Sequence, residues 1–231
     1  MTKSLYFSHI SWETRLLVDN SPLIIVVENP LKLYGYLTEL SYAIYENANT
    51  EFYFYSAEKR FRPEGCADIV SDISYFSLNN KRFSTLLTKK LIKASQSGEA
   101  LMIKGEISVK LNELMNLIIG DIDVPVEFEE EPELSAIFKL INPKISEKNL
   151  RAADKLAAYV SASAELKPDL KAVFFYFLKE YLSENEISIL YEHCAYAGIT
   201  PIIFERRVPE KNLKIKEKIF IIDEDLCEIL E

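Results

Sequence analysis

Leu23-Ile24-Ile25-Val26-Val27-Glu28-Asn29-Pro30 decides the fold. Its first five residues are apolar and mostly β-branched, the pattern of a strand buried on both faces in a parallel sheet covered by helices. Asn29 suits a helix N-cap and Pro30 the first helical position. Leu33, Leu37, Leu40 and Ile44 then recur at helical spacing, with Tyr34 and Ser41 beside them. Phe52-Tyr-Phe-Tyr55 follows as another strand, so 23–56 predicts strand, helix, strand, one half of an α/β sheet. Before it, residues 4–18 predict two short strands around a turn, and Asp19-Asn-Ser-Pro22 a second turn.

The other half lies far along the chain. Ala172-Val-Phe-Phe-Tyr-Phe-Leu178 predicts a second buried strand, and Ser183-Glu-Asn-Glu186 a capping box. Ile187, Leu190, Tyr191 and Cys194 share the core face of the helix that follows, and Gly198 can close it. Pro201-Ile-Ile-Phe204 and Lys218-Ile-Phe-Ile-Ile222 complete a sheet of parallel strands with helices as covers. Between the halves, a short strand is expected near Ile73–Phe76, then helices over 80–97, 104–119, 132–142 and 147–164. The chain therefore reads as an α/β head, 1–61 and 167–231, with a mainly helical leg, 62–166, inserted in it.

A chain of 231 residues with 48% apolar and 27% charged residues is ordinary for a globular protein and can bury a sizeable core. A net charge of −9 argues against nucleic-acid binding over the whole surface, but not against a local basic face. Cys66, Cys194 and Cys227 are odd in number and widely spaced, which predicts reduced thiols and a cytoplasmic protein. The first residues lack the apolar run of a signal peptide, and no stretch is long enough to predict a membrane span.

The turn after Val27 is where a nucleotide-binding α/β protein carries its phosphate loop. Here it is Glu28-Asn29-Pro30-Leu31-Lys32-Leu33, with no glycine and an acid that repels phosphate, so a structural turn is expected. Asp121-Ile-Asp-Val-Pro-Val-Glu-Phe-Glu-Glu-Glu-Pro-Glu133 holds seven carboxylates and no base. Asp121 and Asp123 alternate, as do Glu127, Glu129 and Glu131; in extended chain each set shares an edge, which suits a hard divalent cation such as calcium. The run does not match an EF-hand, and a solvated acidic loop is the competing reading. Arg82, Lys89 and Lys93 are spaced for one helical face, and so are Lys148, Arg151 and Lys155. Such stripes track phosphates by charge, or are merely solvated; their poor aromatic interleaving favours duplex over single strands. His9 and His193 are the only histidines, both expected to be structural, and no nucleophile–histidine arrangement stands out.

In order and spacing, several segments resemble the Csn-two family of type II-A CRISPR systems, ring-forming spacer-acquisition proteins. They are Leu23–Glu28 running into a helix, Val126–Glu131, and Leu134-Ser-Ala-Ile-Phe-Lys-Leu-Ile141. They continue with Leu182–Leu190, Ile199-Thr-Pro-Ile-Ile-Phe-Glu205 and Ile222-Asp-Glu-Asp-Leu226. The resemblance implies a P-loop-like head without a working phosphate loop, a helical leg, and no enzymatic activity. It implies a homotetrameric ring holding Ca²⁺ in each subunit, with double-stranded DNA threaded through a basic hole from free ends without sequence preference. It also implies work alongside the integrase proteins and effector nuclease of the same system. On that basis Glu127, Glu129, Glu130 and Glu131 are calcium candidates, joined by Asp121 and Asp123, with Pro125 and Pro132 set around them. Arg82, Lys89, Lys93, Lys139, Lys144, Lys148, Arg151 and Lys155 are the DNA-contact candidates by region. Two other classes stay open: a divalent-metal nuclease using the Asp121–Glu133 carboxylates, and a protein-interaction module without DNA binding.

Overall fold

A computed structural model describes residues 4–56, 59–131, 133–148, 150–210 and 215–231. The first strands are β1 (Leu5–His9), β2 (Leu16–Val18) and β3 (Leu23–Val27), followed by α1 (Pro30–Glu46), β4 (Phe52–Ser56), β5 (Lys59–Phe61) and β6 (Ala67–Val70). Helices α2 (Lys81–Ala94), α3 (Gly98–Ile119), α4 (Leu134–Ile141) and α5 (Ala152–Leu166) come next. The chain ends with β7 (Ala172–Tyr176), α6 (Leu178–Tyr181), α7 (Glu184–Ala197), β8 (Thr200–Glu205), β9 (Lys218–Ile222) and β10 (Glu228–Leu230).

Among the described residues the strands form two sheets, ordered β2-β1-β4-β5 and β10-β9-β3-β8-β7-β6. In the larger sheet β3 pairs in parallel with both β8 and β9, with Ile24 opposite Ile203 and Ile219. Every residue of β3, β7 and β8 is buried, as continuous apolar runs in a doubly covered sheet must be. The α1 N-cap forms as expected: the Asn29 side chain accepts from the N–H groups of Leu31 and Lys32, and Pro30 opens the helix. The Tyr176 hydroxyl of β7 donates to the Leu37 carbonyl of α1 at 2.8 Å, tying helix to sheet. Ser183 and Glu186 form their capping box, and Gly198 at φ 68° ends α7 in the left-handed region where glycine is unstrained.

The smaller sheet departs from the expected half-sheet. Phe52–Tyr55 is a strand, but β4 lies antiparallel to β1 and β5 instead of joining the parallel sheet. Phe7, Phe52 and Phe54 alternate inward to a core that includes Phe174 and Phe204 of the larger sheet. Alternation, not a continuous run, marks a sheet with one face open. Ile73–Phe76 is not a strand either. Asp72 there accepts from Ser74 and Tyr75 backbone N–H groups and closes a turn, while the edge strand sits earlier, at β6, paired with β7.

The chain divides into two compact units, 1–76 with 147–231, and 77–146. The division expected at 61/62 and 166/167 therefore moves at both ends. The reason is that β6 is part of the parallel sheet and α5 is part of its cover. In α5, Leu156, Tyr159 and Val160 are buried, and Tyr159 meets Phe76 edge-on at 4.9 Å. Lys167, at the end of α5, forms an ion pair with Asp68 of β6. The second unit holds α2, α3 and α4, with Phe83 of α2 buried. Its two chain ends are clipped together: Asn79 donates to the Ile145 carbonyl at 3.0 Å and accepts from the Ile145 N–H at 2.9 Å. No helix is long and apolar enough to cross a membrane among the described residues.

Candidate metal and nucleic-acid sites

The βα turn after β3 has no room to be a phosphate loop. Only Glu28 and Asn29 separate strand from helix. The Glu28 N–H is already given to the Ile222 carbonyl at 2.9 Å. The free amides of the α1 N-terminus, the groups that would receive an anion, are instead capped by Asn29. A phosphate finds neither a glycine-lined curve nor unspent donors here.

The acidic run lies between α3 and α4. The α3 chain turns off through Gly120, and the N–H groups of Asp121 and Ile122 return to the carbonyls of Ile118 and Ile119 at 3.2 and 3.0 Å. Asp121, Asp123, Glu127, Glu129, Glu130 and Glu131 are all exposed. Pro132 lies outside the described residues. No three Asp, Glu, His or Cys side chains come together as a metal-holding group among the described residues. A calcium ion takes six to eight oxygens at roughly 2.3–2.6 Å, so this spread arrangement does not fit the ion as it stands. The two-metal chemistry of a nuclease needs the same convergence.

The basic candidates divide between the two units. On α2, Arg82 is half-buried while Lys89 and Lys93 are exposed along one face, as the spacing predicts. Lys139 is exposed in the last turn of α4, where a positive charge complements the helix dipole, and Lys144 is exposed in the chain that follows. These five belong to the 77–146 unit.

Lys148, Arg151 and Lys155 belong to the other unit and do not form the expected helical face. The helix begins at Ala152, with Arg151 extended at its N-cap. Arg151 is held by Asp154, Nε to carboxylate 3.0 Å, and this bond keeps the Asp154 carboxyl below its ordinary range. Lys155 is half-buried, 3.7 Å from Glu147 and 5.8 Å above the Phe76 ring. Spacing alone could not show that acids pair with this set; Lys148 and Arg151 are exposed, the latter held by Asp154.

His9 is buried among Trp12, Tyr36 and Phe52, with Nδ1 2.7 Å from the Ser11 hydroxyl and Nε2 3.4 Å from Glu39. Burial holds its pKa below the ordinary value, so it is the structural histidine expected. His193 is not: it stands on the exposed side of α7. All three cysteines are free thiols, and burial pushes Cys66 and Cys194 up to about 12, far from a reactive thiolate.

Two clusters escaped the sequence reading. At the carboxyl end of β8, Glu205 is buried beside an open pocket of about 560 Å³ that Arg206 and Arg207 also line. Lys179 bridges it to Glu217, whose other oxygen accepts from Tyr191 at 2.8 Å. The second cluster is the outward face of the smaller sheet, where tyrosines and arginines alternate. The signal for it was the Phe52, Phe54 against Tyr53, Tyr55 alternation, passed over when Phe52–Tyr55 was assigned to the same α/β half-sheet as Leu23–Val27.

A family model described as CRISPR-associated protein (Cas_Csn2) matches residues 44–226. No curated protein matches. Among solved structures, Stu0660 of Streptococcus thermophilus superposes with a TM-score of 0.62 at 16% identity, over 99% of this chain and 75% of that one. At that identity the likeness speaks for the fold. A nucleotide-free ATP-binding cassette from an ABC transporter matches at a TM-score of 0.46 and 14% identity, over 98% of this chain and 91% of that one, too loosely to argue from. With its match spanning most of the two-sheet head and all of the helical insertion, the chain belongs to the CRISPR-associated Csn2 family.

Proposed function

We propose that the protein is a noncatalytic, sequence-independent binder of double-stranded DNA ends. In this reading it acts as a homotetrameric ring in CRISPR spacer acquisition, an antiviral adaptation step, alongside the integrase proteins and effector nuclease of its system. The observation that supports duplex binding best is the α2 face, where Lys89 and Lys93 stand exposed beside Arg82 in a protein whose net charge is −9. Ammonium groups on a rigid helix meet phosphates by charge and read no base, so binding is indifferent to sequence. The acidic remainder of the surface discourages DNA from coating it. Four copies with about two or three phosphate contacts each make roughly eight to twelve, and a slope of log affinity against log salt of about −7 to −11.

Calcium belongs to the same proposal. The candidate donors, Asp121, Asp123, Glu127, Glu129, Glu130 and Glu131, are all carboxylate oxygens, the chemistry calcium prefers. They stand apart in this structure, so the grip on DNA proposed here does not run through the ion. Calorimetric titration with Ca²⁺ tests it directly: no heat, or heat unaltered by Glu127→Gln with Glu129→Gln, removes calcium from the reading.

The deciding measurement is a gel shift with linear and covalently closed duplex, in calcium and in chelator, together with the mass of the free protein. Linear duplex is expected to be retained and the closed circle released. Lys89→Glu with Lys93→Glu is expected to flatten the salt slope while the mass stays that of four copies. Equal retention of the circle rules out threading, and a monomeric mass rules out the ring. Cleavage of DNA in Mg²⁺ or Mn²⁺ would favour the nuclease reading instead.

A further inference from the structure

We infer that the outward face of the β2-β1-β4-β5 sheet is a base-stacking platform for single-stranded DNA. The residues that build it alternate with the core. Phe7, Phe52 and Phe54 point inward and are at most 1% exposed, so Tyr6, Tyr53 and Tyr55, one place along, point outward. The register sets them side by side. Tyr6 lies opposite Tyr55 across β1 and β4, and Tyr55 lies opposite Arg60 across β4 and β5. Leu17 of β2 pairs with Tyr6 and extends the row.

The arginines are laid on the rings. The Arg60 guanidinium sits 3.8 Å from the centre of the Tyr53 ring, and that of Arg15 sits 4.8 Å from the centre of Tyr55. Both arginines are exposed, and neither makes an ion pair among the described residues. A guanidinium seated over an aromatic ring still offers its outer side and its edge donors. That side accepts a base by stacking, and the donors reach a phosphate bidentately. The two ring–guanidinium pairs centre on Tyr53 and Tyr55, two places apart on one face of β4, where unstacked bases and their phosphates can follow.

Single strands are the occupant this chemistry selects. Duplex DNA hides its base faces, and an acidic peptide would use the arginines but leave the tyrosine row idle. Stacking on tyrosine accepts any base, so no sequence preference is expected. The choice of deoxyribose rests on the duplex-DNA reading above; the stacking surface does not. The platform belongs wholly to the 1–76 with 147–231 unit and the α2 lysines to the other, and different residues make each, so the two can be broken separately.

The test uses the whole protein and fluorescein-labelled single strands, thymidine and uridine 12-mers, followed by anisotropy. Tyr53→Leu with Tyr55→Leu keeps a β-forming apolar surface but removes both π faces. It is expected to weaken thymidine 12-mer binding by about tenfold or more per ring, while linear duplex binding is unchanged. Arg15→Gln with Arg60→Gln is expected to lower the salt slope for single strands by about 1.4, two contacts at about 0.7 each. Circular dichroism melts confirm that each variant folds. Unchanged affinity in both folded variants, no binding of the thymidine 12-mer by the parent, or tighter binding of the uridine 12-mer overturns the assignment. A parent protein that binds the thymidine 12-mer but not linear duplex instead overturns the duplex reading and leaves the platform standing.

Discussion

Glu205 shows how one buried carboxyl reports on its setting. It closes β8 at 4% exposure, and its Oε1 accepts the Lys179 N–H at 2.9 Å. Burial pushes the carboxyl up from an ordinary 4.5 to about 7, despite that hydrogen bond. Between those two values the folded chain holds a proton that the unfolded chain has released. Stability from this residue is therefore fully present below pH 4.5, falls as pH rises, and is lost above about 7. His9 runs the opposite way: burial lowers its pKa, so its contribution is lost as pH falls below its ordinary 6.5. A parent-minus-variant difference separates the two. Glu205→Gln keeps the acceptor and removes the charge. Measured by urea unfolding, it should match the parent near pH 5 and exceed it at pH 8, by up to about 3 kcal/mol. An equal difference at both pH values would mean that Glu205 does not titrate in this window.

At the scale of elements, the same local rules decide what was legible. The apolar runs of β3, β7 and the Ile202–Phe204 centre of β8 announce themselves because burial on both faces disfavours polar residues there. Asn29, Pro30, Ser183, Glu186 and Gly198 were legible because capping depends on neighbours within a few residues. Partners across the sheet are a long-range matter. Phe52–Tyr55 is strand in either sheet, and nothing local says that β1, not β3, lies beside it. β6 was invisible because it has four residues and carries Asp68 among them; in the fold that buried carboxylate accepts from the Ile69 N–H and pairs with Lys167. Lys148, Arg151 and Lys155 share a spacing but not a helix, because α5 starts after the second of them. The cap itself is testable. Asn29→Ala leaves the Leu31 and Lys32 N–H groups without their acceptor and should cost about 1 kcal/mol in urea denaturation, with the m-value unchanged. Asn29→Gly should cost only a few tenths. If alanine and glycine cost the same, the side-chain bonds to the helix end are not what holds this turn.

For the molecule as a whole, α3 sets the strongest demand. Its charge pattern was ordinary in the sequence, but in the fold its apolar side chains find little cover within the 77–146 unit. Leu101, Met102, Leu114 and Leu117 are 49, 66, 51 and 74% exposed. Ile103, Ile107, Leu111, Leu114 and Ile118, spaced four, four, three and four apart, make an apolar seam along its length. A contiguous apolar surface on this scale is the mark of an interface. The proposed tetramer supplies an occupant, a second copy, and the seam's spacing is that of helix-on-helix packing. Ile103→Glu and Leu114→Glu are nearly free of cost in a lone chain, since both sites are exposed in it. Buried against another copy, unpaired carboxylates would cost several kcal/mol. Sedimentation should therefore show the double variant as a smaller species than the parent, with the same far-ultraviolet circular dichroism and a weaker hold on linear duplex, as fewer phosphate contacts act together. A double variant that still sediments as four copies would show that the α3 seam is covered by something other than this chain.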